Sequence, residues 1–139
     1  MSSMARSTAA RLAAYLATCQ PFDWAARNCC QFAAGWVQRM EGRAPAIPSV
    51  RDLAHSRRVL ADMGGTLLAA VTAELARQPV APAAARPGDV VLLQRVDGQT
   101  LGICAGRTAA VLTTDGVAHI PMQAATAAWH IEAAACATA

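Results

Sequence analysis

A proline-rich segment at residues 79–87 divides this chain into two parts with different hydrophobic periods. The segment holds three prolines and a run of alanines, and it cannot continue a regular helix because proline lacks the backbone donor. Apolar residues recur at helical spacing before it and form short β-branched runs after it. Helices followed by strands are typical of an α+β architecture. The sequence therefore predicts an α+β fold whose helices precede a small antiparallel sheet.

Four helices are predicted in the first part of the chain. Capping residues, glycine stops and apolar stripes place them at 4–18, 28–40, 50–63 and 66–77. Ser49 is the expected N-cap of the third helix. The buried face of the fourth helix is expected to consist of Leu67, Leu68, Val71 and Leu75.

Five strands are predicted in the second part. Runs of β-branched and leucine residues, separated by turn residues, place them at 89–94, 99–105, 108–113, 117–122 and 129–132. Asp115 and Gly116 form the expected hairpin turn between the third and fourth strands.

Length and charge restrict the class of protein. A chain of 139 residues is expected to form one domain, with a helical part at about 1–78 and a sheet part at about 88–132. The net charge of +3 is small and the arginines are dispersed, so we expect no nucleic-acid partner. No apolar run is long enough to cross a bilayer, so no membrane span is expected. Arg6 and Arg11 interrupt the N-terminal apolar residues, which favours an amphipathic helix over a secretory signal.

The chain contains five cysteines, at positions 19, 29, 30, 104 and 136. An odd number without regular spacing supports neither a zinc site nor a disulfide framework, so we expect no metal and no cofactor. If the second helix packs on the sheet, Cys29 and Cys104 are expected to come near one another. The sequence leaves the disulfide state of these two residues and of Cys30 open.

Cys29 stands at the predicted start of the second helix. Asn28 suits the N-cap position, so Cys29 falls in the first helical turn. Unpaired backbone N–H groups and the positive end of the helix dipole favour a thiolate there. The same position also suits a small buried residue, because free cysteine commonly fills cores. A nucleophile and a core residue therefore both stand as interpretations of Cys29.

Four segments follow one another in the order that a known family shows. The segment PFDWAA at 21–26 is similar to a PYxWGG turn, and NCCQF at 28–32 is similar to a DCSGF helix start. PGDVVLL at 87–93 is similar to a PGDLVFF strand, and TLGICAG at 100–106 falls where a strand of the form HVGIYLG brings a histidine. Over roughly residues 20–113 the chain thus resembles the NlpC-type cell-wall peptidases. The resemblance implies a papain-like fold.

The resemblance also implies roles for individual residues. Cys29 corresponds to the nucleophile, because a phenylalanine follows three residues later as in the family motif. Trp24 and Asn28 are then expected at the binding cleft. Thr100 stands at the position of the family's base histidine, and threonine cannot accept a proton near neutral pH. Of the chain's histidines, His119 on a later strand is the best alternative base.

Small alanine-rich chains of this kind resemble proteins encoded among the tail genes of bacteriophages and phage-like gene transfer particles. The resemblance implies a structural component of the virion tail tip, made in the host cytoplasm, with an NlpC-like scaffold and a degenerate catalytic site. Its expected partners are other tail-tip or hub proteins and peptidoglycan. The alternative is an active cysteine peptidase or amidase that cleaves peptidoglycan peptide stems during cell entry. A third interpretation is an acyl-transfer enzyme acting on small amides.

Overall fold

The computed structural model describes residues 3–25, 27–43, 45–46, 52–96 and 98–133. Within these ranges the chain forms the helices α1 (Ser3–Thr18), α2 (Cys29–Glu41), α3 (Leu53–Asp62) and α4 (Leu67–Leu75). The strands that follow are β1 (Val90–Arg95), β2 (Gly98–Cys104), β3 (Thr108–Thr113), β4 (Gly116–Pro121) and β5 (Ala125–Trp129). Short 3-10 turns lie at Pro82–Ala84 and Met122–Ala124. No helix in these ranges combines the length and apolar character that crossing a membrane requires.

The five strands form one antiparallel sheet in the order β4-β3-β2-β1-β5. β2 is therefore the central strand, and β4 and β5 are the edges. The helices all precede the sheet in the chain. The predicted α+β architecture, with helices first and an antiparallel sheet second, is confirmed.

Both faces of the sheet are apolar. The helix face, which packs against α2, carries Val90, Leu92, Leu101 and Ile103. The outer face carries Val91, Leu93, Cys104 and Val111 and is partly covered by Val80, Ala85 and Met122. Strands that bury both of their faces read as continuous hydrophobic runs, which explains the unbroken apolar segment at 90–93.

Helix α2 is held on the sheet by a buried aromatic residue. Trp36 is fully buried, and its indole N–H donates a 2.7 Å hydrogen bond to the carbonyl of Gly88, the residue that leads into β1. Gly88 has φ +96°, and a Cβ atom there would lie 2.8 Å from Cγ2 of Thr8 in α1. A side chain at this position would therefore be strained and would also push α1 away. At Gly88, α1, α2 and the residue that leads into β1 thus lie in contact with one another.

A buried carboxylate also fixes the start of β1. Asp89 is 1% exposed and accepts hydrogen bonds from the backbone N–H groups of Arg86 (2.8 Å) and Ile131 (3.0 Å). Its Oδ2 also accepts from Nδ1 of His130 at 2.7 Å. Because a buried carboxylate requires such partners, Asp89 ties the start of β1 to the chain that leaves β5.

Two details of the helical predictions are wrong. The third helix begins at Leu53 with Asp52 as its N-cap, because the Asp52 carboxylate accepts from the N–H of His55. Ser49, the expected cap, lies outside the described residues. In α4, Leu68 is exposed, and Ala70 takes its expected place on the buried face. Leu68 is rotated by about 100° from Leu67, which moves it off the face that Leu67, Ala70 and Leu75 share.

Two details of the strand predictions are also wrong. The last strand is Ala125–Trp129, so it ends where the predicted segment at 129–132 begins. An alanine-rich segment has weak β propensity, which concealed β5 in the sequence. The hairpin loop between β3 and β4 consists of residues 114 and 115, because Thr113 pairs with Gly116 in the sheet.

Trp36→Ala should lower the free energy of unfolding by about 3 to 5 kcal/mol, because it removes a large buried aromatic residue and leaves the Gly88 carbonyl unpaired. Urea unfolding followed by circular dichroism measures the change. Trp24→Ala is the matched control and should cost less, because Trp24 is half-buried and precedes α2. Equal costs for the two variants would contradict the central position of Trp36.

Asp89→Asn should destabilise the fold by about 3 to 5 kcal/mol, because the amide removes the buried charge that the histidine and two N–H groups share. Asp62→Asn, at an exposed position of α3, should stay within about 0.5 kcal/mol of the parent chain. The same unfolding measurement compares them. A cost for Asp89→Asn as small as that of the control would show that the buried carboxylate is dispensable.

Candidate functional site

Cys29 is the first residue of α2, and the local sequence fixes where that helix begins. Asn28 accepts a hydrogen bond from the N–H of Gln31 at 3.0 Å, and the Gln31 side chain accepts from the N–H of Asn28 at 2.8 Å. This reciprocal capping box starts the helix at the next residue. Cys29 therefore lies in the first turn, where N–H groups lack helical acceptors and the helix dipole favours an anion.

The Cys29 thiol is held in its ionised form by its neighbours. Its pKa is lowered to about 6, mainly by a hydrogen bond between its sulfur and the Cys30 side chain. Burial opposes this effect, and hydrogen bonds with the Leu101 backbone and the Thr100 side chain add to it. The bond to Cys29, together with burial, raises the pKa of Cys30, so Cys30 remains a protonated donor. The lowered pKa therefore favours the nucleophilic thiolate form of Cys29.

Thr100 is one of the neighbours of Cys29. It belongs to β2, opposite Leu93 of β1, and its side chain hydrogen-bonds the Cys29 sulfur. A hydroxyl group in this position stabilises the thiolate but cannot take up its proton near neutral pH. The threonine therefore supports the charge of the cysteine without acting as a base.

His119 is separated from the cysteine by the width of two strands. It lies on the edge strand β4 opposite Ala110, which pairs in turn with Ile103 of β2. Two strand spacings and three residues along the strand put its backbone about 14 Å from that of Thr100. Its side chain is exposed, and Nδ1 lies 3.3 Å from the hydroxyl oxygen of Thr108. The geometry thus does not bring His119 to the cysteine.

His130 also lies outside the immediate surroundings of the sulfur. It follows β5, which is the edge strand opposite β4, and its Nδ1 hydrogen-bonds Asp89. By the same spacings its backbone is about 16 Å from that of Thr100. His55 is half-buried near the start of α3. Among the described groups that shift the pKa of Cys29, none is a histidine.

Trp24, Asn28 and Cys29 all line one cavity of about 290 Å³. The side-chain amide of Asn28 is engaged within the fold, because its oxygen caps α2 and its nitrogen donates to the Trp24 carbonyl at 3.0 Å. The Trp24 ring packs edge-on against Phe22 with 5.0 Å between ring centroids. The structure thus brings the cysteine together with both residues expected at a cleft.

The cavity lies between α2, α3, α4 and the helix face of the sheet. Its walls are mostly apolar and include Ala33, Val37, Leu60, Ala70, Val71 and Leu101. Polar side chains such as Arg57, Glu74 and Gln99 contribute the remainder of the lining. Apolar walls with a few convergent polar groups are typical of small-molecule sites.

The four described cysteines are all free thiols. Cys104 lies on the outer face of the sheet, whereas Cys29 packs against the helix-face cluster, so the expected approach of these two residues is wrong. The alternation of strand side chains explains this, because Ile103 faces α2 and its neighbour must face away. Cys136 lies outside the described residues. Within the described part of the chain, no three His, Cys, Asp or Glu residues form a group that could hold a metal ion.

Three features of the site were missed in the sequence. Cys30 is the main donor to the Cys29 sulfur, and only the adjacency of the two residues hinted at it. The cavity walls from α3 and α4 depend on how these helices pack, which their periodicity does not encode. The Asp89–His130 pair joins residues far apart in the chain.

Alkylation of Cys29 by iodoacetamide should follow a titration with a midpoint near pH 6, because its lowered pKa makes the thiolate form there. Its rate should rise with pH and level off above neutrality. Cys19 is the internal control, because burial raises the pKa of its thiol and its rate should still be rising above pH 9. Peptide mass spectrometry after timed labelling measures the extent of alkylation of both cysteines in one sample. A Cys29 midpoint as high as that of Cys19 contradicts the geometry.

Comparisons with known proteins add a family but no described activity. No curated protein matches the sequence. The chain matches, over residues 4–131, a family described as a domain of unknown function, DUF6950. This match covers α1 to β5 and both residues of the Cys29–Thr100 contact. The chain therefore belongs to the DUF6950 family.

Proposed function

We propose that this chain is a structural component of a bacteriophage-type tail tip, built on a papain-like, NlpC-type scaffold whose catalytic site lacks its base. The observation that carries the proposal is Thr100, which contacts the Cys29 sulfur at the position where the resemblance implies a histidine. The sulfur is ionised, but no imidazole of a described residue takes part in lowering its pKa.

The architecture supports the NlpC-type scaffold. The resemblance implies a cysteine at the start of a helix that packs on an antiparallel sheet, next to the strand that carries the base. Cys29 begins α2, α2 packs on the helix face, and β2 supplies the neighbouring residue. The strand that follows the PGD segment lies next to β2, as the motif order implies.

The chemistry of the site supports a role other than amide hydrolysis. A thiolate can attack an amide carbonyl, but the leaving amine must receive a proton before it can depart. In cysteine hydrolases a histidine delivers that proton. Thr100 cannot, and His119 and His130 are about 14 and 16 Å away by strand spacing. The tetrahedral adduct would therefore return to the starting amide.

The tail-tip assignment follows from the resemblance to phage and gene-transfer-particle proteins. In that setting the chain is made in the host cytoplasm and incorporated into the virion tail tip. Its partners would be other tail-tip or hub proteins, and peptidoglycan would be met during entry. Val96, fully exposed at the β1–β2 hairpin, and Leu68, exposed on α4, supply apolar surface for such contacts.

An active cysteine peptidase or amidase is the second candidate, and the lowered pKa of Cys29 favours it. A cysteine that merely fills the core gains nothing from ionisation, whereas a nucleophile requires it. In this candidate another subunit of the assembly supplies the missing base. The substrate would be the peptide stems of peptidoglycan.

The purified protein should release no product from dye-labelled cell walls, because none of the described residues that shift the pKa of Cys29 is a histidine able to protonate the leaving amine. Cys29→Ala should be equally inactive and equally folded. Thr100→His places an imidazole at the implied base position and should give weak turnover. Clear wild-type release that disappears in Cys29→Ala would overturn the structural proposal in favour of the peptidase.

Incorporation into particles tests the proposal that the chain is a component of the tail tip. The chain should be found by mass spectrometry among the proteins of particles purified from a producing strain. Cys29→Ala should be incorporated to the same extent, because the structural role does not use the thiolate. Absence of the chain from purified particles would contradict the tail-tip assignment while leaving the chemistry of the site intact.

A further inference from the structure

We infer that Cys29 and the apolar cavity beside it form a site for S-acylation, in which the cysteine accepts a medium-chain acyl group from an acyl thioester and the cavity holds the chain. The inference uses the site of the proposed function and rests on its central feature, a cysteine without a base. It does not depend on the tail-tip assignment. Its steps concern the cavity, the position of the sulfur and the leaving group.

The cavity is suited to an unbranched apolar chain. Its volume is about 290 Å³, and the buried alanines Ala33 and Ala34 of α2 and Ala70 of α4 are among the residues that line it. A methylene group is similar in size to a water molecule, whose share of liquid volume is about 30 Å³, so the space holds roughly ten such groups. A peptide stem, rich in amide groups, would leave many of those groups unpaired against these walls.

The sulfur is placed where the carbonyl end of such a chain would lie. Cys29 and Cys30 both line the cavity, next to Asn28 and to Leu101 of the sheet. The capping box occupies the N–H groups of Asn28 and Gln31. The Cys29 N–H bonds the Cys29 sulfur, and the Cys30 N–H has no helical acceptor, so it is placed to stabilise a developing oxyanion. The polar groups thus gather at one end of an otherwise apolar space.

The missing base matters less for a thioester than for an amide. The Cys29 thiolate attacks the carbonyl carbon, the tetrahedral adduct collapses, and the carbon–sulfur bond of the donor breaks. The donor sulfur leaves as a thiolate with its electron pair and takes a proton from water. No acid is needed, because thiolates are stable leaving groups near neutral pH. The products are a new thioester on Cys29, one free thiol and one hydroxide ion, so atoms and charge balance.

The experiment incubates the intact chain with octanoyl coenzyme A at neutral pH. Intact-protein and peptide mass spectrometry should find one octanoyl group on Cys29, with an equal amount of free coenzyme A measured by liquid chromatography. Cys29→Ser should form no thioester. Cys19→Ser is the matched control and should behave as the parent chain, because Cys19 bonds the Tyr15 carbonyl and does not line the cavity.

Chain length tests the role of the cavity. Each methylene group that enters an apolar site improves binding by a factor of about four, so octanoyl coenzyme A should acylate Cys29 at least about tenfold faster than acetyl coenzyme A at equal subsaturating concentration. Ala70→Leu fills the cavity and should remove this preference while keeping reaction with the acetyl donor. Ala73→Leu, on the exposed side of the same helix, should keep the preference. Ala34→Leu is the second filling variant if Ala70→Leu does not fold.

The outcomes separate this inference from the proposed function. No thiol release by wild type with either donor overturns the inference, as does release at equal rates that Ala70→Leu and Ala34→Leu leave unchanged. Release from octanoyl coenzyme A that requires Cys29 and is lost on filling the cavity supports it. Cleavage of cell walls in the dye assay overturns only the structural proposal, because thiol release is counted whether or not the acyl group is later hydrolysed.

Discussion

The hydrogen bond from the Trp36 indole to the Gly88 carbonyl is the contact on which the geometry of the site depends. A buried indole N–H must find an acceptor, so this bond and the aromatic packing around it set the rotation of α2 about its axis. Cys29 precedes Trp36 by seven residues, which is close to two helical turns, so the two side chains share one face. The residue that docks the helix therefore also turns the cysteine toward the sheet. The glycine is required at the acceptor position because Thr8 leaves no room for a side chain there.

The charge of Cys29 follows from that orientation. Because the sulfur faces the sheet, it lies next to the Leu101 backbone and the Thr100 side chain of β2. Cys30, the next residue of the helix, makes the hydrogen bond that lowers the Cys29 pKa most. Burial alone would raise the pKa of a thiol in this place. The donors reverse that effect, and they do so without any positively charged side chain. An anion held only by neutral donors remains available to a carbonyl carbon, because no ion pair has to be broken first.

Much of the fold could be predicted from the sequence, because its local signals agree with one another. Asn28 and Gly42 cap α2, and the change of period after the prolines marks the sheet. The failures are at places where local signals are weak: β5 is rich in alanine, and Leu68 differs from Leu67 only in its angle around α4. The placement of Thr100 near Cys29 is implied only by the family resemblance and not by any local signal. The donor role of Cys30 and the cavity depend on packing between segments distant in sequence, which no local pattern records.

The cavity has a physical origin in the composition of the helices. Alanine is the strongest helix former, so alanine at positions 33, 34 and 70 stabilises α2 and α4 locally while it leaves space between them. Lost dispersion contacts around that space oppose the gain. Alanine content alone explains a void somewhere in the core, but it does not explain why the void is lined by the first turn of α2 and by a cysteine whose pKa is lowered. The capping box sets that position independently of the alanines, since it fixes the start of α2 through hydrogen bonds between Asn28 and Gln31. Two separate features of one helix thus converge on one site, and this convergence links the apolar space to the chemistry of the sulfur.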